Sequence, residues 1–417
     1  MRFTPVTRLA VFYEPEEGRR HLVGRLLKVR QQLLFEYEPA FIAGGLELSP
    51  FKVPLRSGVF TGDLARFDGL LGLFDDSLPD GWGRLLIDLR AEKGGLRRSQ
   101  LGPLDRLSLV GSRTMGALVY EPEQLREVPS VVKLDELEQE VATVLADGEA
   151  SDFDRLIALG GSPQGARPKA LVQMDAKGTL HAGVARSIVG CTSWLVKFRS
   201  ATDDADSGVL EHAYFLMAKA AGLDVPETRL LGRARRYFAI RRFDRDGRQK
   251  RHQHTLCGLL DAPHTLPSLS YQQLLLVTRR LVQSERAVEE MFRRASFNVF
   301  AHNRDDHSKN FSFLMSERGE WSVSPAYDLS FSDGPGGEHW MPVSGEGANP
   351  TSKHLETLAK AGNVRRFKAV IEQVREAVER FPAFADEAGL KAKTRDKVSK
   401  ALGVRIRKRR VSPAQFS

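Results

Sequence analysis

The densest run of chemically capable side chains is Asn303-Arg304-Asp305-Asp306-His307-Ser308-Lys309-Asn310. It follows an apolar helical stretch and precedes the strand-like Phe311-Ser312-Phe313-Leu314, so it reads as a loop held between two buried elements. Rigid scaffolds present reactive groups on such loops. A merely solvated turn rarely sets Asp, His, Lys and Asn in alternate register between apolar runs. Asp305 and Asn310 stand five residues apart. At that spacing, phosphoryl-transfer loops place a carboxylate that takes the proton of a substrate hydroxyl and an amide that holds Mg2+. Lys309 lies between them and could steady a γ-phosphate. A second metal carboxylate is then required. Asp328 supplies it in Pro325-Ala326-Tyr327-Asp328-Leu329, eighteen residues beyond Asn310 and behind an apolar strand, Trp321 to Val323.

Such chemistry also needs a strand lysine to grip the α- and β-phosphates. Trp194-Leu195-Val196-Lys197-Phe198-Arg199 offers one: Trp194, Val196 and Phe198 share a face, so Lys197 points to the other. Glu211, on the following helix, could orient it. Further upstream, Gly160-Gly161-Ser162-Pro163-Gln164-Gly165-Ala166-Arg167-Pro168-Lys169 runs into a strand from Ala170 to Met174. Glycines let backbone N–H groups approach phosphate oxygens. The run is neither GxxxxGK[ST] nor GxGxxG. Taken singly, a lysine at a strand edge or a glycine-rich hairpin is unremarkable. Glycine loop, strand lysine, helix glutamate, Asp…Asn loop and metal aspartate nevertheless occur here in the order that a kinase uses.

The elements that must position these groups are legible in outline. Residues 1 to about 125 read as β-rich, with period-two alternation at Leu9, Val11 and Tyr13, at Leu22, Gly24 and Leu26, and at Leu33, Phe35 and Tyr37. A helix is predicted from Trp82 to about Ala91, after the Pro79-Asp80-Gly81 turn. Residues 126–150 read as a connecting helix, with Leu134, Leu137, Val141 and Val144 at helical spacing. Strand signals return over 155–245 around one helix, roughly 210–221. From about 270 the pattern is helical, with stripes at Val288, Met291, Phe292, Ala295 and Val299 and from Val364 to Phe381. Strands first and helices later predict an α+β chain of two lobes. The predicted units are an N-terminal subdomain (1–125), the rest of the N-lobe with the phosphate loop and strand lysine (126–245), a helical catalytic C-lobe (246–390) and a basic tail (391–417).

Composition sets limits. At 417 residues, 41% hydrophobic and 28% charged, the chain has ample material for a core and no disorder bias. No apolar run reaches eighteen residues, the opening Met1-Arg2-Phe3-Thr4 is unlike a signal peptide, and Cys191 and Cys257 form no CxxC pair. These features predict a cytoplasmic protein without disulfides or a zinc site. The net charge of +9 suits an anionic partner such as nucleotide or nucleic acid.

Together these residues resemble the HipA family of serine/threonine kinase toxins. Asn303-x-Asp305-x-His307-x-Lys309-Asn310 is similar to the family's catalytic signature, Gly165-Ala166-x-x-Lys169 to its phosphate loop, and Arg242-Phe243-Asp244-Arg245 to its lobe junction. The first 120 residues resemble its N-terminal subdomain in Phe35-Glu36-Tyr37, Leu48-Ser49-Pro50-Phe51, Asp76-Ser77-Leu78-Pro79-Asp80-Gly81-Trp82-Gly83 and Val110-Gly111-Ser112. The resemblance implies a two-lobed protein-kinase-like fold with a β-rich N-terminal lobe and a mainly α-helical C-terminal lobe, using ATP and Mg2+. It implies Asp305 as proton acceptor with Lys309 beside it, and Asn310 and Asp328 as metal ligands. ATP contacts fall on Gln164, Gly165, Ala166, Arg167, Pro168 and Lys169 of the loop, on Lys197, His307 and Tyr327, and on Arg241, Arg242 and Phe243 as the hinge beside adenine. Ser162 falls at the family's autophosphorylated serine. Two positions depart from the family pattern: Arg241 stands where a Glu is expected, and Pro163 stiffens the loop after Ser162.

The implied partners are a helix-turn-helix antitoxin, operator DNA reached through that antitoxin, and a protein substrate, an aminoacyl-tRNA synthetase in characterised members. Two other readings share part of this pattern: a small-molecule kinase, and a catalytically weak DNA-binding co-repressor. Lys391 to Arg410 carries ten Lys/Arg against one acid and lies beyond the last clear apolar stripe. It reads either as a solvated terminus or as a DNA-phosphate contact.

Overall fold

Alternation along the first strands decides the N-terminal architecture. Leu9, Val11 and Tyr13 turn one face of strand Arg8–Glu16 into the core, and Leu33, Phe35 and Tyr37 do the same for Gln32–Tyr37. The computed structural model describes residues 4–125, 131–160, 165–182, 185–200, 203–234, 236–263 and 265–405. Its fold is α+β. Arg8–Glu16, Arg19–Val29, Gln32–Tyr37 and Val59–Thr61 pair antiparallel in succession, and Leu118–Glu121 runs along the free side of the first. The hairpin Arg245–Asp246 and Gln249–Lys250 completes this seven-stranded sheet by pairing Gln249 with Glu16. Phe35, Phe74 and Tyr120 are fully buried beneath it, with the Phe35 and Phe74 rings edge to face at 4.7 Å.

A second sheet is antiparallel throughout, in the order Leu180–His181, Lys169–Met174, Thr192–Lys197, Tyr237–Arg241, Thr228–Leu231. Trp194, Val196 and Phe198 pack under helices Gly81–Lys93, Leu134–Asp147 and Phe153–Gly160, through Trp82, Leu137, Val141 and Leu156. The helix predicted from Trp82 therefore exists, but its apolar face joins this second core rather than the one under the first sheet. Helix Ser207–Ala220 covers the opposite side. It feeds Tyr214 and Phe215 into the largest core, built with Tyr271–Val282, Glu285–Phe300, Phe367–Glu379 and Phe381–Ala388. Burying one such aromatic contributes on the order of 1.5–3 kcal/mol. Ser270 starts its helix with a capping box, accepting from Gln273 N while the Gln273 side chain accepts from Ser270 N at 2.9 Å.

A three-stranded sheet, His252–Thr255, Ser312–Met315 and Trp321–Val323, lies beside the polar loop identified above. The basic tail differs from expectation. Ala392–Ala401 is a helix, with Val398 and Ser399 buried and Arg395 paired to Asp386 at 2.7 Å. Residues 406–417, including most of the terminal arginine cluster, lie outside the described residues. No helix among the described residues is long and apolar enough to cross a membrane.

Candidate active site

Strand Thr192–Lys197 presents Lys197 away from the core that takes Trp194 and Val196. Its ammonium lies 2.6 Å from Glu211 Oε1 on the next helix and 2.5 Å from Asp328 Oδ1. Burial works against the Lys197 charge, but Asp328 and Glu211 outweigh it and raise its pKa. Burial would likewise raise the Asp328 carboxyl; Lys197 and Lys169 overcome it and hold Asp328 well below the usual carboxylate range. Asp328 adopts a left-handed backbone conformation, φ 56°. Aspartate tolerates that region better than most residues, and such outliers gather at functional sites.

The polar loop is fixed from behind by its second aspartate. Asp306 is buried and accepts from Tyr271 Oη at 2.5 Å and Trp340 N at 2.8 Å, with His339 Nδ1 also at 2.8 Å. Asn298 Nδ2 donates to Tyr271 Oη, and Asn303 Nδ2 donates to Asn298 Oδ1, extending this network into helix Glu285–Phe300. Asp305, next in the chain, faces outward. Its side chain is about half exposed, 54%, and lies 3.9 Å from His307 Nε2. Desolvation still raises the Asp305 carboxyl, aided by Asp328 and Asp306 and opposed by His307. Asn310 Nδ2 donates to Asp305 O at 2.7 Å, closing the loop and leaving the amide oxygen as a donor for a metal. Tyr327 Oη donates to Lys309 O at 2.6 Å, which ties the Asp328 segment to the same loop.

Most of these groups line one cleft, though Asp305 and Asp306 are not among its wall residues. Gly165, Lys169, Lys197 and Glu211 come from one side, and His307, Lys309, Asn310, Tyr327 and Asp328 from the other. Leu195, Ile240 and Met115 supply apolar wall. Lys169 is buried, and burial with the nearby Lys197 lowers its pKa to about 8. Other expected residues sit at the periphery. Pro168 O accepts from Phe198 N, and Arg167 pairs with Asp203 at 3.1 Å. Ala166 is exposed. Arg241 is exposed beside Glu227, whereas Arg242 is buried and forked onto Asp244 at 2.7 and 2.9 Å. The Phe243 ring lies 5.6 Å from that of Tyr327. Ser162 and Gln164 lie outside the described residues.

Residues 161–381, more than half of the chain, match the HipA-like C-terminal domain, and residues 18–121 match the HipA N-terminal domain. The chain belongs to the HipA family. Its fold resembles a chain from the solved complex of the Shewanella oneidensis MR-1 toxin–antitoxin system, HipA, HipB and operator DNA. The TM-score is 0.69 at 17% identity, over 95% of both chains. A candidate kinase of Haemophilus influenzae is 31% identical over 135 residues, 28% of this chain and 39% of the relative. The Sinorhizobium fredii protein Y4dM, also named as a candidate kinase, is 30% identical over 217 residues, 46% of this chain and 51% of the relative. The chain thus spans about half or less of the length of these curated relatives.

One contribution to this HipA-family cleft escapes a reading of isolated motifs. Asp76 and Asp80, from the N-terminal region, stand in its wall. Lys309 Nζ lies 3.1 Å from Asp80 Oδ1 and 3.3 Å from Asp75 Oδ2, so its charge is shared with two carboxylates more than two hundred residues upstream. Burial raises Asp75 to about 6 against the pull of Lys309. Asp76 accepts from Thr255 N at 2.6 Å and Thr255 Oγ1 at 2.7 Å, and His254 Nδ1 lies 2.5 Å away. The signal was three aspartates within six residues around a Pro-Asp-Gly turn.

Proposed function

We propose that this chain is an ATP- and Mg2+-dependent serine/threonine protein kinase with a two-lobed kinase-like fold, acting as the toxin of a toxin–antitoxin pair. The observation that carries the reading is the Lys197 ammonium held between Glu211 at 2.6 Å and Asp328 at 2.5 Å. A strand lysine, a helix glutamate and a metal aspartate, joined beside an Asp…Asn loop, are the parts that phosphoryl transfer needs.

The donor set suits Mg2+. Asp328 and Asn310 offer hard oxygen ligands, and no group of three His, Cys, Asp or Glu among the described residues would hold a metal alone. Two such oxygen ligands suit an ion whose other positions are filled by water and substrate phosphates. When bound, Mg-ATP supplies the phosphoryl group and the cation that shields its charge. Lys197 grips the α- and β-phosphates, kept in place by Glu211. Asp305, with its raised pKa, takes the proton of the substrate hydroxyl. Leu195, Ile240 and Met115 provide an apolar seat for the base, with Arg241 to Phe243 as the hinge.

The division into an N-terminal subdomain (1–125), the rest of the N-lobe (126–245), a catalytic C-lobe (246–390) and a basic tail (391–417) belongs to the same reading. So do a protein substrate serving translation, such as an aminoacyl-tRNA synthetase, and autophosphorylation at Ser162. The likeness of fold to a chain solved with HipB and operator DNA supports a DNA-binding antitoxin as partner. The test is incubation with labelled Mg-ATP, followed by mass spectrometry. Transfer to the protein itself or to an added protein, with phosphate on the Gly161–Lys169 peptide, is expected. An active enzyme with that peptide unmodified would remove Ser162 from the scheme, and no transfer at all would remove the kinase.

A further inference from the structure

Asp80 is the N-cap residue of helix Gly81–Lys93, yet its side chain makes no capping bond to that helix. An aspartate at this position ordinarily accepts from the second or third N–H of its own helix. Here the carboxylate reaches across the cleft instead. Asp80 Oδ2 accepts from Gly165 N at 3.2 Å, and Asp80 Oδ1 lies 3.1 Å from Lys309 Nζ. The field of Asp80 also helps to sustain the charge on buried Lys169. The backbone N–H of a glycine loop and the ammonium groups around it are the donors that a nucleotide phosphate would use.

The approach is built, not incidental. A Cβ on Gly81 would fall 2.4 Å from Ala166 Cα, so only glycine lets the Asp80 turn lie this close to the phosphate loop. Trp82 N points at Gly165 O, 3.5 Å away. On Gly160, a Cβ would meet Lys169 O at 2.4 Å and Trp82 Nε1 at 2.8 Å. The start of this helix is thus moulded onto both ends of the glycine loop.

We propose that Asp80 is a resident stand-in for a nucleotide phosphate, occupying the Gly165 N–H and the Lys309 ammonium until ATP displaces it. The proposal rests on the nucleotide reading of the cleft. A carboxylate presents two oxygens on one carbon much as a phosphate presents two on phosphorus, and both are anions that favour N–H donors and cations. While Asp80 holds these donors, Gly165 N–H and the Lys309 ammonium are both engaged. The cost is competition, because ATP meets donors that are already engaged. Affinity is then reduced by the fraction of molecules whose donors are free. A plain structural clamp would behave in the opposite way, since loosening it would disorder the loop and weaken ATP.

The test uses full-length protein and calorimetric titration with Mg-ATP and with adenosine. Asp80→Asn keeps the shape and removes the charge. It is expected to tighten Mg-ATP by about 3- to 10-fold while leaving adenosine unchanged, because only the phosphates compete. Asp75→Asn also removes a carboxylate from Lys309 but touches no loop N–H among the described residues, and should tighten Mg-ATP distinctly less. Unchanged or weaker Mg-ATP binding by Asp80→Asn overturns the proposal, as does equal tightening by Asp75→Asn, which would reduce the effect to general charge. If Asp80→Asn does not fold, Asp80→Ser takes its place with the same expectations. A wild-type protein that binds no Mg-ATP, with Asp328→Asn no different, overturns the nucleotide reading itself and the proposal with it.

Discussion

Lys197 Nζ lies 2.5 Å from Asp328 Oδ1, although 131 positions separate the two residues in the chain. This contact joins the second sheet to the segment that Tyr327 ties to the polar loop. The two charges sustain one another: the lysine is raised, the aspartate lowered, and Glu211 completes the set. Asp328→Asn should lower kcat for phosphoryl transfer by about 10²-fold or more, since charge stabilisation at the transferring group is lost. Lys197→Met should also destabilise the fold, because Glu211, only 2% exposed, keeps a buried charge without its partner. Such losses run to about 3–5 kcal/mol. Denaturant unfolding beside a transfer assay separates the two: Lys197→Met with undiminished stability would mean that Glu211 does not depend on Lys197.

Asp305 and Asp306 are neighbours in opposite surroundings, one half exposed and one buried. Asp305→Ala should abolish transfer and leave the unfolding midpoint within about a degree or two, because its side chain is half exposed and surface changes cost little. Asp306→Ala should lower stability by roughly 3–5 kcal/mol, since it strips partners from Tyr271, His339 and Trp340 N. Thermal unfolding of both variants decides. A stable Asp306→Ala protein would show that the loop needs no anchor.

Gly81→Ala tests the close approach of two chain segments. The added methyl carbon would sit 2.4 Å from Ala166 Cα, and neither backbone has a flexible side chain to give way. A destabilisation of about 1–3 kcal/mol is expected. A rise in KM for ATP should accompany it, because Ala166 and the adjoining Gly165 of the cleft wall must move. If KM stays constant while stability falls, the loop does not depend on this contact.

His252 gives the protein a specific weakness to acid. It is 1% exposed, its Nε2 lies 3.0 Å from Leu48 O, and burial with the neighbouring His254 lowers its pKa from 6.5 to about 3, against the opposing pull of Asp76. Below pH 6.5 the unfolded chain takes up a proton that the folded chain refuses until about pH 3. The stability present above pH 6.5 is therefore lost as the pH falls through that window, by up to a few kcal/mol. His252→Gln should flatten the loss between pH 6.5 and 4 even if it costs stability at pH 7. Unfolding curves of identical pH slope for both proteins would exclude His252 as the source.

The parts legible in the sequence are those whose signal is local. Alternation marked Arg8–Glu16 and Gln32–Tyr37, and one apolar face marked the strand that carries Lys197. The catalytic-loop signature sufficed to suggest the family that the domain matches give. Helix Ala392–Ala401 was not legible, because among its side chains Val398 is the one hydrophobic residue that is buried, and a single residue makes no stripe. The contribution of Asp75 and Asp80 was hidden for another reason. Their partner Lys309 is 229 positions from Asp80, and no periodicity records such a contact. The buried role of Asp306 was masked by Asp305, an identical residue beside it.

The placement of Lys309 constrains how such chains can diverge. Asp75 and Asp80 belong to the segment matched by the N-terminal domain, Lys309 to the segment matched by the C-terminal one. Two modules that look separable along the chain therefore share one charge balance. A fragment starting at residue 161 would carry Lys309, buried in the whole chain, with neither acid present. Exchanging N-terminal halves between relatives should succeed only where the donor brings acids at both positions, and loss of Lys309 in one lineage should release Asp75 and Asp80 to change with it.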